Sequence, residues 1–405
     1  MSFENNDRRL DARIIAFGFI ATFSSSFGQT FFLGLFSSQF EVATGVGGAH
    51  LAMLYGLATL LSGSWLFWLG GSLDLVPLRW ATLIASSIYL TGSFLAGSVD
   101  TQAGLLAAFF LLRLGGQGLM SHLGIVTAAR GGGRRKGMMI AWVLMGVILG
   151  EALLPSTVLA AESMFQWRWL WHGVSVLLLF AILPALLLFG RGLPWRFSTA
   201  NEDGAPNPLI ARRRVLLRQP AFWIGAALLL APPFMVTGFL FEETVIGRLM
   251  HWSPQSIGGA FVVFALSQAM GTWGYGRLSD RWGAVRMARL HLMPMALAFA
   301  LMAFPLGSAS VWVVFAGVGF TNGANSVLGG AVWAELFGTA SLGLVRGVFA
   351  ACIVLTSAVA PAVTALMLSP QIGAGLMGMV FAVYCVLASL LASPDLLRWH
   401  AAEPD

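Results

Sequence analysis

The stretch LLAAFFLLRLGGQGLMSHLGIV, Leu105 to Val126, is apolar enough and long enough to cross a lipid bilayer, yet it carries Arg113 near its middle. About 20 helical residues span the hydrocarbon layer. A guanidinium at the centre of a membrane helix costs roughly 2.5–3.5 kcal/mol on insertion scales, so such a residue faces a bundle interior or an aqueous cavity. Gln117 follows one helical turn later, on the same face. The stretch therefore predicts a helix that lines a polar path through a membrane protein.

The rest of the chain has the same character. Of its 405 residues, 58% are hydrophobic and 10% charged, whereas soluble domains carry about 25% charged residues; the mean hydropathy is +0.81. The net charge of +6 does not point to nucleic acid, because the basic residues sit in short segments between apolar runs and not on one soluble face. Lys136 is the only lysine. Cys352 and Cys385 fall inside apolar runs and read as small core residues. Met1–Arg13 is polar and the first apolar run is too long for a signal-peptide core, so no cleavable leader is expected.

Runs long enough to span occur at roughly 14–36, 50–70, 80–98, 103–128, 137–160, 169–190, 221–241, 256–275, 287–306, 310–334, 345–367 and 371–392. This predicts an all-α integral membrane protein with twelve transmembrane helices, read below as helices 1 to 12. The longest polar interval, 191–219, contains Pro194, Asn201, Glu202, Asp203, Pro206, Pro208 and Arg212-Arg213-Arg214. It reads as a linker between six-helix bundles at 1–190 and 220–405. Placing the N-terminus in the cytoplasm puts twenty basic residues inside and only Arg168 and Arg248 outside, with Arg113 in the membrane. By the positive-inside bias both termini are cytoplasmic.

A fixed internal offset supports duplication. Gly70 and Asp74, after helix 2, recur 206 positions later as Gly276 and Asp280 after helix 8, and Gly137 and Pro155 of helix 5 recur at the same offset as Gly343 and Pro361 of helix 11. Duplicated halves are a transporter architecture in which substrate binds near the midplane.

At these residues the whole chain resembles the major facilitator superfamily. Gly276-Arg277-Leu278-Ser279-Asp280-Arg281-Trp282-Gly283 is similar to that family's loop signature, and Gly70 to Arg79 is a first-half copy that keeps the glycine, Asp74 and a late arginine but lacks an arginine after the aspartate. Such a loop needs glycine for a turn and charges that pair in one conformation and separate in another; the alternative is that it only fixes topology. Arg113 with Gly115, Gly116, Gln117 and Gly118 is similar to the family's helix-4 signature, which ties the arginine to proton or anion handling. Gly137, Gly146 and Gly150 resemble its glycine-rich helix 5, but Glu151 stands where the exporter signature has proline, and proline follows only at Pro155. Gly146 and Gly150 also read as a close-packing pair. The resemblance implies two pseudo-symmetric six-helix halves and a cavity lined by helices 1, 4, 7 and 10.

Arg113 and Glu151 lie at matched depths, about 23 Å from the proposed cytoplasmic helix ends. Paired, they lower each other's insertion cost. Two readings stand: a transport pair in which Glu151 takes a proton when substrate competes for Arg113, or a permanent brace. On helix 1, Ser24-Ser25-Ser26-Phe27-Gly28-Gln29-Thr30 is unusually polar and Gln29 is the ligand candidate, although serines there can bond only their own backbone. Pro232-Pro233 predicts a local break in helix 7, a gating feature. On helix 10, Asn322 and Asn325 can bond across to a substrate or to helix 7. Glu242 and Glu243 end helix 7 either as a solvated end or as an outer gate and proton entry. His122 lies roughly opposite Arg113 and packs on a neighbouring helix. His50, His172 and His251 have no metal-ligand spacing, so neither metal nor cofactor is expected.

No phosphate-binding loop, nucleophile elbow or histidine box is present, which disfavours an ATP-driven pump or an enzyme. The sequence points to a secondary transporter acting by alternating access, a proton-coupled symport of a small organic anion of monocarboxylate type. Arg113, Gln117, Gln29, Asn322 and Asn325 bind substrate, Glu151 couples protons, and Asp74, Asp280, Arg281, Pro232 and Pro233 serve gating. A proton-driven exporter of apolar or cationic compounds and a non-transporting sensor are the alternatives. Its partners are the small-molecule substrate, protons and the lipid bilayer; a monomer in a bacterial inner (plasma) membrane is expected.

Overall fold

The computed structural model describes residues 2–73, 76–131, 136–193, 216–304, 306–368 and 373–392. Among them are twelve helices long and apolar enough to cross a membrane. In the first half these are α1 (Leu10–Gly34), α2 (Gly48–Leu66), α3 (Leu78–Gly97), α4 (Gln102–Arg130), α5 (Met138–Glu162) and α6 (Trp167–Phe189). In the second half they are α7 (Pro220–Phe241), α8 (Pro254–Trp282), α9 (Ala284–Leu301), α10 (Gly307–Gly338), α11 (Val348–Met367) and α12 (Gly373–Leu391). The chain divides into two compact units between Glu202 and Asp203. Asp74, expected in gating, lies outside the described residues.

Helices in lipid gain little from excluding apolar side chains from water, so close backbone approach at small residues carries their packing. In the first unit α1 packs on α5 through Gly146 and Gly150: a Cβ at Gly146 would run into Thr22 and the Phe19 carbonyl, and one at Gly150 into the Ser26 side chain. In the second unit α8 and α10 meet in the same way. A Cβ at Gly271 would strike the Phe320 carbonyl, and one at Gly323 the Gln268 carbonyl. Burial follows this packing. Two thirds (67%) of the most apolar windows of α1 and α7 are buried, against 22% for α6, whose Trp169 and Phe180 are exposed.

The two units distort their helices differently. α1 is regular as far as Ser25, passes through a 3-10 turn at Ser26–Gly28 and resumes at Thr30–Gly34, with Gln29 extended at φ −81, ψ 158. α4 widens to a π-helix over Arg113–Met120. In the second unit α7 stays helical from Pro220 to Phe241 with Pro232 and Pro233 inside it, so the expected break there does not form. Each proline deletes one ladder bond but fixes φ near a helical value. Packing keeps the helix in line: Gly225 lies on Trp333 and Gly238 on Thr364. The Gly276–Gly283 signature is also helical almost throughout, because α8 runs on to Trp282. The turn it needs is made by Gly283 at φ +85, a left-handed value that favours glycine, and not by Gly276.

Candidate functional site

The distortions of α1 and α4 meet around Arg113. Ser24 and Ser25 donate to the carbonyls of Ala21 and Thr22, at 2.8 and 2.7 Å, local bonds that bend helices. Gly28 then closes on α4, where a Cβ would collide with the Leu112 carbonyl and crowd the Gln117 amide and Gly116. From α3, Tyr89 donates its hydroxyl to the Ser24 carbonyl at the break, 2.6 Å away. Tyr89 fills the space left by missing side chains, since a Cβ at Gly115 would come within 2.8 Å of its backbone and Cβ, and one at Gly116 within 2.8 Å of its ring and hydroxyl. The glycine cluster around Gln117 thus lets α1, α3 and α4 approach one another, and the widened turn puts Arg113 at its start. π-helical turns recur at functional sites.

Arg113 is 4% exposed. Its Nη1 donates to the Thr30 hydroxyl at 3.2 Å, and its guanidinium carbon sits 5.0 Å from the centre of the Tyr55 ring. The hydroxyls of Thr30 and Tyr55 are themselves 2.7 Å apart, while the Arg113 Nε is buried with no hydrogen-bond partner. A ring face and a hydroxyl orient a guanidinium and attract it, by about 0.5–2 kcal/mol for the ring, but leave its charge uncancelled. This corrects the expected pairing. Thr30 and Tyr55, from the resumed half of α1 and from α2, occupy the place that the sequence reading gave to Glu151. Glu151 is half-buried on α5, one residue past Gly150, where that helix meets Ser26 of the α1 break. Gln29 and Gln117 are both partly exposed, Gln29 next to Thr30 and Gln117 at the Gly28 contact. Tyr55 continues into a stack of rings: it lies 5.8 Å from Phe109, which lies 5.4 Å from Phe40. Phe32 and Phe36 in turn pack on Trp171 at 5.4 and 5.2 Å.

The second unit places its polar residues on other partners. Asn322 donates to the Gln268 side chain of α8 at 2.6 Å, so its contact is to α8 and not to α7. Asn325 is 8% exposed, and its Oδ1 has no hydrogen-bond partner. It lies beside His291 of α9, which is fully buried, with Nδ1 2.5 Å from the Ala288 carbonyl. Glu335 of α10 caps α9, its Oε2 accepting from the amides of Ala284 and Val285 at 2.7 and 3.2 Å. A carboxylate on exposed helix N–H groups is favoured by both charge and hydrogen bonding. Asp280 and Arg281 are exposed at the end of α8, with Arg281 near the Trp282 ring at 5.8 Å. Glu242 and Glu243 depart from the solvated-end reading. They are 4% and 0% exposed, because the chain turns at Glu242 into a short helix, Glu243–Leu249, that packs on α7, α8 and α12.

Sequence reasoning missed Thr30, Tyr55, Tyr89, His291, Gln268 and Glu335. One signal was available: four tyrosines among thirty phenylalanines mark places where a hydroxyl is wanted. Tyr55 and Tyr89, both fully buried, are two of them.

No protein-family model matches the chain, and comparison with curated protein sequences finds no match. Solved structures do match. The chain is similar to the nucleoside transporter NupG in a point-mutant form, with a TM-score of 0.73 at 13% identity, covering 95% of this chain and 98% of that one. It is also similar to a bacterial homolog of the human lysosomal transporter Spinster in an inward-facing, unoccupied conformation, with a TM-score of 0.71 at 15% identity and 97% of each chain covered. At such identities the likeness is one of fold. Twelve membrane-length helices, two compact units and these matches over nearly the full length identify the architecture of this chain as the major facilitator fold.

Proposed function

We propose that the chain is a secondary active transporter for a small organic anion, with Arg113 as the counter-ion for substrate and uptake driven by protons. One observation carries this reading: among the described residues Arg113 is buried, held in place by Thr30 and Tyr55, and in contact with no carboxylate. A guanidinium so placed gains most from a ligand that brings its own negative charge and accepts two parallel hydrogen bonds. Gln29 and Gln117 flank it and supply neutral polar contacts. A neutral solute, as the name of the similar nucleoside transporter indicates for that protein, would leave the charge unmet. Export of apolar compounds is less favoured, because Phe32, Phe36, Phe40, Phe109 and Trp171 are buried in contact with one another and offer little free aromatic surface.

Glu151 takes the coupling proton in this proposal, beside the α1 break that Gly150 contacts. Asn322 and Asn325 complete the binding residues from the second half, and Asp74, Asp280, Arg281, Pro232 and Pro233 bias the alternation between states. The arginine distribution supports cytoplasmic termini; a plasma-membrane location and action as a monomer are part of the same proposal. Purified protein in liposomes, given labelled small carboxylic acids and an inside-alkaline pH gradient, should accumulate acid. Glu151→Gln should lose accumulation but keep substrate-for-substrate exchange. Absence of flux for every acid offered, with nucleosides or apolar cations transported instead, would overturn the anion assignment.

A further inference from the structure

Glu243 is 0% exposed, and among the described residues neither of its carboxyl oxygens has a hydrogen-bond partner. An ionised carboxylate in such surroundings is strongly disfavoured. A neutral carboxylic acid costs no more than other buried polar groups. Burial, and after it the neighbouring Glu242, hold the Glu243 carboxyl well above the usual carboxylate range.

Among the described residues, no cation acts on the Glu243 carboxyl. Glu242 is itself 4% exposed, and Arg248 on the same short helix is exposed. α7 has no charged residue between Pro220 and Phe241, and α12 has none between Gly373 and Leu391, where the other titratable groups are Tyr384 and Cys385 in its second half. α8 carries Tyr275, Arg277, Asp280 and Arg281 only in its last turns, some twenty residues from the end near the short helix. α11 contributes a second isolated polar group. The buried Thr364 hydroxyl, with no hydrogen-bond partner, lies against Gly238, one turn before Glu242 on the same face of α7.

We propose that Glu243 is a proton-binding site of the second half, occupied while the short helix Glu243–Leu249 covers it and emptied to water when the C-terminal end of α7 opens. The proposal rests on the transport reading above and adds to it a second proton-carrying group, in the half that does not hold Arg113. The exchange is balanced: the carboxyl O–H breaks, the proton leaves on water, and the carboxylate stays hydrated until the site closes. Protonation and the position of α7 are then linked, since only the acid form is stable under cover.

Two measurements test it. In liposomes, Glu243→Gln should flatten the dependence of uptake on pH and lower gradient-driven accumulation at least tenfold while counterflow exchange persists, and Glu243→Asp should retain accumulation with a shifted pH profile. In infrared difference spectra, the wild type should show a protonated-carboxyl band persisting at neutral pH, and Glu243→Gln should lack it. A Glu243→Gln protein with the wild-type pH profile, or a wild type without that band, overturns the proposal, as does accumulation driven by sodium in place of protons. Should no solute be transported at all, the function reading fails, and the infrared titration still decides the proton site.

Discussion

The two halves of the molecule bury a basic and an acidic side chain by opposite means. In the first, a cation that stays charged is kept in the membrane by distorting the backbone around it: α1 breaks at Ser26–Gly28, α4 widens at Arg113–Met120, and the distorted segments bring Thr30 to the guanidinium while α2 supplies the Tyr55 ring. In the second, α7 stays helical even through Pro232-Pro233, and Glu243, just past its end, is enclosed with no hydrogen-bond partner among the described residues. Arginine cannot shed its charge, so the fold has to solvate it with protein groups. Glutamate can take up a proton, so the fold has only to cover it. In the proposals above, the half with the distorted α1 and α4 holds the counter-ion for substrate, and the half with the covered acid adds a second proton site to Glu151.

The largest expected effect tests the distortion. Gly28→Ala places a methyl on the Leu112 carbonyl, and overpacking of this kind costs about 1–3 kcal/mol. The variant should lose several degrees of thermal stability in detergent and most of its uptake. Gly274→Ala, where a Cβ meets open space, should be neutral by comparison. Equal behaviour of the two variants would mean that the α1–α4 approach does not hold the site together.

The second test is the sign of a pH effect. The carboxyl of Glu243 is raised in the folded state, so its contribution is fully present below the ordinary carboxylate pKa near 4.3. As pH rises above that value the unfolded chain releases the proton while the native one keeps it, and stability falls by up to about 1.4 kcal/mol per pH unit until the folded-state pKa is reached. Glu243→Gln should therefore melt close to wild type at pH 4 and above it at pH 7. A gain that shrinks as pH rises would contradict the neutral-acid account.

A smaller effect is expected from Thr30→Val, which keeps shape but removes the hydroxyl on Arg113. The loss should be about 1 kcal/mol in stability or substrate affinity. No measurable change would leave Tyr55 as the sole orienting group.

What the sequence revealed follows from what composition can express. Arg113 stood out because a charge in the middle of an apolar run has few innocent explanations, and the duplicated Asp74 and Asp280 stood out because an offset is visible in one dimension. The α1 break was not legible: no proline marks it, and it depends on Tyr89 and Leu112 arriving from elsewhere in the chain. Pro232-Pro233 misled for the complementary reason, since packing of α7 outweighs two missing ladder bonds. Glu242 and Glu243 read as a solvated end because an apolar run stops there, and nothing local says that the next seven residues fold back over them. The Arg113–Glu151 pairing rested on matched depth, which fixes height in the membrane but not which face of a helix a residue occupies.

Equilibrium binding of a labelled small carboxylic acid to the purified protein tests the central claim most directly, with wild type compared to Arg113→Lys and Arg113→Gln and each variant's melting temperature recorded alongside. Charged hydrogen bonds contribute about 1.5–3 kcal/mol, so the account predicts a loss of roughly tenfold to a hundredfold for Arg113→Lys, which keeps the charge but not the fork, and a greater loss for Arg113→Gln. Wild-type affinity in a folded Arg113→Gln protein would contradict it.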